Sequence, residues 1–213
     1  MHSLIIANGV LPQIEYVKAL VKFAKLIVCA DGGANYAREL GIKPNVIIGD
    51  FDSILQETKI FFHDVLQIKN EDTNSTDLEK AIAYCTEQKS TSVDIIGALG
   101  KRTDHTLSSL GCFKKFGTQI HIRMIDTEGE LTLIQKNITL NTHKGEKISI
   151  IPIDRCIGVT TKNLKFPLNN EVLELGVREG ISNEAVSEQV SISIENGTLL
   201  LYRFHGSAWQ STH

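Results

Sequence analysis

The sequence predicts an α/β protein: an N-terminal, mostly parallel sheet with helices on both faces, followed by a smaller antiparallel β-sandwich-like domain. Three observations carry this. Up to about residue 130, short apolar runs rich in Val and Ile alternate with helical spacings. From about Glu130 on, strand-like runs follow one another without long helical patterns. The early runs end in turns bearing Gly and Asp, as strands do in proteins that place their chemistry beyond the carboxyl ends of a parallel sheet.

In order, Leu4 to Ala7 reads as a strand ending in Asn8-Gly9, and apolar residues at Ile14, Val17, Leu20, Val21 and Ala24 give the next segment a helical spacing. Leu26 to Ala30 is the second strand. Asp31-Gly32-Gly33 turns it into a helix that runs to Leu40 and closes at Gly41, with Pro44 beyond. Val46 to Ile48 is the third strand and leads into Gly49-Asp50-Phe51-Asp52-Ser53; extended backbone there would point Asp50 and Asp52 to one side. Val65 to Ile68 follows. Thr76 and Glu79 form the ends of a capping box, which puts Asp77 on the first turn of a helix reaching about Gln88. Val93 to Ile96, a glycine turn over Gly97 to Arg102, and a helix from Thr103 to Phe116 complete the first part.

The second part offers strands at Leu131 to Ile134, Lys147 to Ile153, Val172 to Leu175, Val190 to Glu195 and Thr198 to Phe204. The last two flank Asn196-Gly197, which predicts a hairpin. Serines alternate with isoleucines before that turn, so one face is buried. The expected domains are 1–132 and 133–213, with a close junction between Thr127 and His143.

Composition narrows the function classes. Twenty-two Lys and Arg against 25 Asp and Glu give a formal net charge of −3, with no basic run, so nucleic acid is not an expected partner. The four cysteines, Cys29, Cys85, Cys112 and Cys156, lack metal-type spacing and read as free thiols in a reducing compartment. No secretion signal or stretch of transmembrane length is present, so a cytoplasmic protein with no membrane partner is expected. The one tryptophan, Trp209, lies in a polar tail.

Asp31, Asp50, Asp52, Asp72, Asp77 and Asp104 all fall at strand ends or helix starts. Each alone has an ordinary reading as a turn former or helix-start residue. Together they would repel one another, because a carboxyl with an ordinary pKa of about 3.9 is ionised at neutral pH, and a divalent cation such as Mg²⁺ resolves the repulsion. Gly32-Gly33 and the basic pair Lys101-Arg102 add phosphate-compatible turns, although neither a G-x-x-x-x-G-K-[ST] nor a G-x-G-x-x-G pattern occurs. The combination points to Mg²⁺-dependent chemistry on a phosphate ester or anhydride.

Four ordered motifs, Ala30-Asp31-Gly32-Gly33-Ala34-Asn35, Gly49-Asp50-Phe51-Asp52-Ser53, Ser75-Thr76-Asp77 and Gly100-Lys101-Arg102-Thr103-Asp104-His105, resemble the motif series of the thiamine pyrophosphokinases. In the last, Lys101 stands where the family's pattern usually has glycine. Gly158-Val159-Thr160-Thr161, Leu164 to Leu168 and Ile181-Ser182-Asn183-Glu184 resemble the family's thiamine-binding segments. The resemblance implies a homodimer, with sites near the subunit interface, that uses MgATP to convert thiamine to thiamine diphosphate and AMP. It assigns Asp50, Asp52 and Asp77 to the metal and, with Asp104, to catalysis. Asp31, Gly32, Gly33, Asn35, Thr76, Arg102 and His105 would bind ATP, and Phe166, Ser182 and Asn183 would bind thiamine. Phe166, where many relatives carry Trp or Tyr, can still stack on the vitamin. Two other functions share these features: a diphosphokinase for another heteroaromatic alcohol of the hydroxymethylpterin type, and a non-catalytic nucleotide- or thiamine-binding regulator.

Overall fold

The computed structural model describes residues 1–205; Trp209 lies outside the described residues. The chain divides into two units, Met1–Thr127 and Glu128–His213.

In the first unit, six strands alternate with five helices: β1 (His2–Ile6), α1 (Ile14–Phe23), β2 (Leu26–Ala30), α2 (Gly33–Glu39), β3 (Val46–Gly49), α3 (Gln56–Phe61), β4 (Leu66–Lys69), α4 (Asp77–Glu87), β5 (Ser92–Ile96), α5 (Thr103–Phe116) and β6 (His121–Ile125). The strands lie in the order β4-β3-β2-β1-β5-β6, and every pairing is parallel. Leu4, Ile5, Ile6, Val28, Ile47, Ile95 and Ile96 are buried, as continuous apolar runs covered on both faces require. Order reverses between β1 and β5, the crevice where such sheets bind ligands. Close packing at that crevice depends on Gly33, where a Cβ would stand 2.0 Å from the Ile6 carbonyl oxygen.

Helix boundaries follow local chemistry. At α4 the Thr76 hydroxyl accepts the Glu79 backbone N–H at 3.3 Å, while the Glu79 carboxylate accepts the Thr76 N–H at 3.2 Å. α1 begins at Ile14, where the apolar spacing starts, and α5 has the predicted span Thr103–Phe116 after its glycine turn. α3 has no such signal: it is six residues long and exposes Ile60 and Phe61.

The second unit holds two antiparallel sheets. One has the order β12-β9-β14-β7, from β7 (Gly129–Ile134), β9 (Lys147–Pro152), β12 (Gly180–Glu184) and β14 (Leu199–Phe204). The other has the order β11-β10-β13-β8, from β8 (Ile138–Asn141), β10 (Cys156–Lys162), β11 (Glu171–Leu173) and β13 (Gln189–Ser193). Ile148, Ile150, Leu199 and Leu201 of the first share a core with Val159, Val190 and Ile192 of the second.

Asn196-Gly197 does not make the predicted hairpin. β13 pairs with β10 and β8, whereas β14 pairs with β7 and β9, so the chain crosses from one sheet to the other at this turn. The apolar faces of the two strands are buried in one core, and that burial outweighs the local pairing signal. Asn196 instead bridges to Ile157 of β10. Among the described residues, no helix is long and apolar enough to cross a membrane.

Candidate active site

A cleft of about 520 Å³ opens at the carboxyl ends of the first unit's strands. Its walls come from the segments that follow β1 (Ala7, Asn8, Gly9), β2 (Asp31, Gly32), β3 (Asp50, Asp52, Ser53) and β4 (Glu71, Asp72), from the start of α4 (Thr76, Asp77, Lys80), and from the segment joining β5 to α5 (Gly97, Ala98, Gly100, Lys101, Arg102) and α5 itself (His105). The first and last of these meet at the reversal of strand order, where the Gly9 N–H donates to the Gly97 carbonyl and the Val10 N–H to that of Leu99 at 2.9 Å.

Asp31, Asp50 and Asp77 each bring a carboxylate oxygen to within 4.8 Å of the others. Asp31 is buried, 3% exposed, in a left-handed conformation with φ 39°. Its Oδ2 accepts the Ser53 N–H at 2.9 Å, but Oδ1 is buried with no hydrogen-bond partner. Burial pushes the Asp31 carboxyl up to about 6 against the Ser53 hydrogen bond, and the charges of Asp77, Asp52 and Asp50 add to the rise. Three oxygens at this spacing, one of them an orphan, form a donor set suited to a hard divalent cation. Asp52 lines the same cleft but is outside the trio; its Oδ1 accepts the Ser53 hydroxyl at 2.7 Å.

Lys80 was not among the residues expected from the sequence. Its side chain is 4% exposed, and Nζ donates to Asp77 Oδ1 at 3.0 Å and to the Asn70 carbonyl at 2.8 Å. The sequence signal is the i, i+3 spacing behind Asp77 on one helix face. This buried ammonium offsets part of the charge that the carboxylates gather.

The remaining predicted nucleotide residues divide into those that reach the cleft and those that hold it. Gly32, Thr76, Arg102 and His105 line it; Gly33, Asn35 and Asp104 do not. The Asn35 side chain donates to the Ser53 carbonyl at 3.0 Å and accepts the Leu55 N–H at 3.0 Å, fastening the segment that carries Asp50 and Asp52. Asp104 grips Arg102, with Nε to Oδ1 at 3.1 Å and Nη2 to Oδ2 at 2.5 Å. That hydrogen bonding holds the Asp104 carboxyl down at about 2.

In the second unit, Phe166 is 63% exposed. Asn183 is buried on β12, its Oδ1 accepting the Phe166 N–H at 3.0 Å and its Nδ2 donating to the Phe166 carbonyl at 2.7 Å. Oδ1 also accepts the Glu184 N–H at 2.9 Å. The Asn183 amide is therefore committed to backbone. Ser182 is exposed at φ 56°, where the β12–β9 register shifts, and its N–H donates to the Ser149 hydroxyl at 2.9 Å.

Two family profiles match the chain: "Thiamin pyrophosphokinase, catalytic domain" over residues 17–125, and "Thiamin pyrophosphokinase, vitamin B1 binding domain" over residues 135–199. The chain belongs to the thiamine pyrophosphokinase family. The catalytic-domain match contains Asp31, Asp50, Asp77, Lys80 and Arg102, and the vitamin B1 match contains Phe166, Ser182 and Asn183. Among family members, the thiamine pyrophosphokinase of Bacillus subtilis is 30% identical over 186 residues, 84% of this chain and 86% of that protein. Thiamine pyrophosphokinase 1 of Oryza sativa is 26% identical over 225 residues, covering 92% and 84% of the two chains. The crystal structure of the Bacillus subtilis thiamine pyrophosphokinase superposes with a TM-score of 0.84 at 26% identity, over 96% of this chain and 99% of that one. The Candida albicans thiamin pyrophosphokinase shares the fold at a TM-score of 0.89 and 17% identity, over 96% and 89%.

Proposed function

We propose that this enzyme transfers the diphosphate of ATP to the hydroxyl of thiamine. The bond formed joins the thiamine hydroxyl oxygen to the β-phosphorus; the bond broken joins that phosphorus to the oxygen bridging to the α-phosphate, and AMP leaves with that oxygen. The hydroxyl proton passes to solvent. The observation that carries this reading is the gathering of Asp31, Asp50 and Asp77 in one cleft at the reversal of strand order.

The donor set fits Mg²⁺, because hard carboxylate oxygens are that ion's ligands and the unpartnered Asp31 Oδ1 would gain a partner on binding it. Asp50 and Asp77 would hold the ion with Asp31, and Asp52 lies in the same cleft within reach of the phosphates. Bound there, the ion supplies charge stabilisation to the phosphoryl oxygens. The protein's own residues position the reactants. Arg102, aimed by Asp104, meets phosphate oxygens; Gly32, Thr76 and His105 shape the nucleotide's wall; Gly33 and Asn35 keep that wall in place. Such positioning carries much of the catalysis in phosphoryl transfer, where the transition state is loose.

Thiamine is assigned to the second unit. Phe166 offers an exposed ring for the cationic vitamin and Ser182 an exposed hydroxyl, while Asn183 sets the backbone from which the ring projects. The vitamin B1 match over this unit favours thiamine above a hydroxymethylpterin, and the carboxylate trio favours an enzyme above a regulator. A homodimer with its sites near the subunit interface agrees with the exposed Leu175, Val177 and Ile181, apolar area for a second copy to cover. Four buried free thiols agree with a reducing, cytoplasmic setting. The test is product analysis after incubation with ATP, Mg²⁺ and thiamine: AMP and thiamine diphosphate are expected, and ADP with thiamine monophosphate would refute the transfer.

A further inference from the structure

The cleft's cations are unequally engaged. Three Lys or Arg side chains line it among the described residues: Lys80, Lys101 and Arg102. Lys80 is paired with Asp77 and Arg102 with Asp104. Lys101 is bound to neutral partners instead. Its Nζ donates to the Tyr36 hydroxyl at 2.5 Å and sits 4.8 Å from the centroid of that ring. The Tyr36 hydroxyl in turn donates to the Gly9 carbonyl at 3.1 Å, so the perch is itself tied to the crevice. An ammonium has three N–H donors, and this arrangement uses one.

The backbone at Lys101 is as telling as its head group. Lys101 adopts φ 56° directly after Gly100 at φ 78°, a left-handed pair in which glycine is the unstrained residue at either position. A long cationic side chain is thus held at a position where removing it would relieve strain, and a strained non-glycine residue in a ligand cleft is a reason to look for function.

We propose that Lys101 is a further substrate-binding residue, which meets the phosphate chain of ATP with the one lysine or arginine charge in the cleft, among the described residues, that no carboxylate offsets. Asp31, Asp50, Asp52 and Asp77 make the cleft repel an anionic nucleotide, and an ammonium on its wall that is held by neutral Tyr36, with two N–H donors to spare, counters that repulsion and donates charge-assisted hydrogen bonds to phosphate oxygens. Tyr36 keeps the ammonium raised over its ring, so that little side-chain freedom is lost on binding. The proposal rests on the nucleotide occupying this cleft.

The test compares steady-state kinetics and melting of the wild type with Lys101→Gly, Lys101→Gln and Arg102→Ala. Both Lys101 variants are expected to raise KM for ATP about five- to tenfold and to flatten its dependence on salt, with KM for thiamine and kcat changed less than about twofold. Lys101→Gly is expected to melt about 2–4 °C above the wild type while binding ATP more weakly, a combination that a purely structural lysine does not produce. If Arg102→Ala raises KM for ATP and neither Lys101 variant does, the Lys101 proposal falls alone. If all three leave KM for ATP within twofold of the wild type, the placement of the nucleotide in this cleft falls with it.

Discussion

Replacing Asp31 with asparagine should stabilise the protein while removing its response to Mg²⁺. Asp31 is buried with an orphaned Oδ1, and its carboxyl is raised from 3.8 to about 6. That difference corresponds to about 3 kcal/mol, at about 1.4 kcal/mol for each tenfold change. The sign follows from the direction. Below about pH 4 the carboxyl is protonated in both the folded and the unfolded chain, so ionisation costs the fold nothing. Between about pH 4 and 6 the unfolded chain releases the proton first, and stability falls; above about pH 6 the full cost is present. Asparagine keeps an oxygen for the Ser53 N–H and carries no charge. Asp31→Asn should therefore match the wild type near pH 4 and melt about 6–12 °C above it at pH 8 without metal. Adding Mg²⁺ at pH 8 should raise the wild-type melting temperature and leave the variant's nearly unchanged. Melting curves at the two pH values, with and without Mg²⁺, decide the matter. An equal difference at pH 4 and pH 8, or equal stabilisation of both proteins by Mg²⁺, would refute the reasoning.

Two further substitutions probe the same assignments. Asp52→Asn should lower turnover about 100-fold if that carboxylate acts with the trio across the cleft, and turnover within a few-fold of the wild type would remove it from the site. Asn183→Ala takes both partners from the Phe166 peptide; KM for thiamine should rise about tenfold with KM for ATP unchanged, and stability should fall by about 1–3 kcal/mol, measured by urea unfolding. Equal effects on the two KM values would argue against Asn183 acting through Phe166.

Much of the first unit was readable because its signals are local. The apolar spacing from Ile14, the capping box at Thr76 and the glycine turn before Thr103 each depend on residues within a few positions, and each corresponds to an observed helix edge. Asn196-Gly197 is local too, yet it misled. A tight turn fixes where the chain reverses and says nothing of which strand is its neighbour; here two buried faces decided the pairing. The strands β8, β10 and β12 went unassigned for a related reason. β8 has only four residues, while β10 and β12 carry left-handed residues at Gly158 and Ser182, and pairing with sequence-distant partners defines all three.

Within the site, carboxylates were easier to place than amides, and the difference is chemical. A cluster of aspartates at strand ends has few uses besides cation binding, because each is an acceptor only and repels its neighbours. Asparagine both donates and accepts, so one side chain can close a two-point clamp on backbone. Asn35 does this to Ser53 and Leu55, and Asn183 does it to Phe166. In each case the clamp fixes a neighbour to which we assign a role: the segment of Asp50 and Asp52, or the exposed ring. Lys80 was missed by the same logic in reverse. A lysine on a helix is ordinarily a solvated surface residue, and only its burial against Asp77 makes it part of the charge arrangement at the cleft. Aspartate can announce a site by accumulation, whereas residues that work by holding others are recognised through the partners they hold.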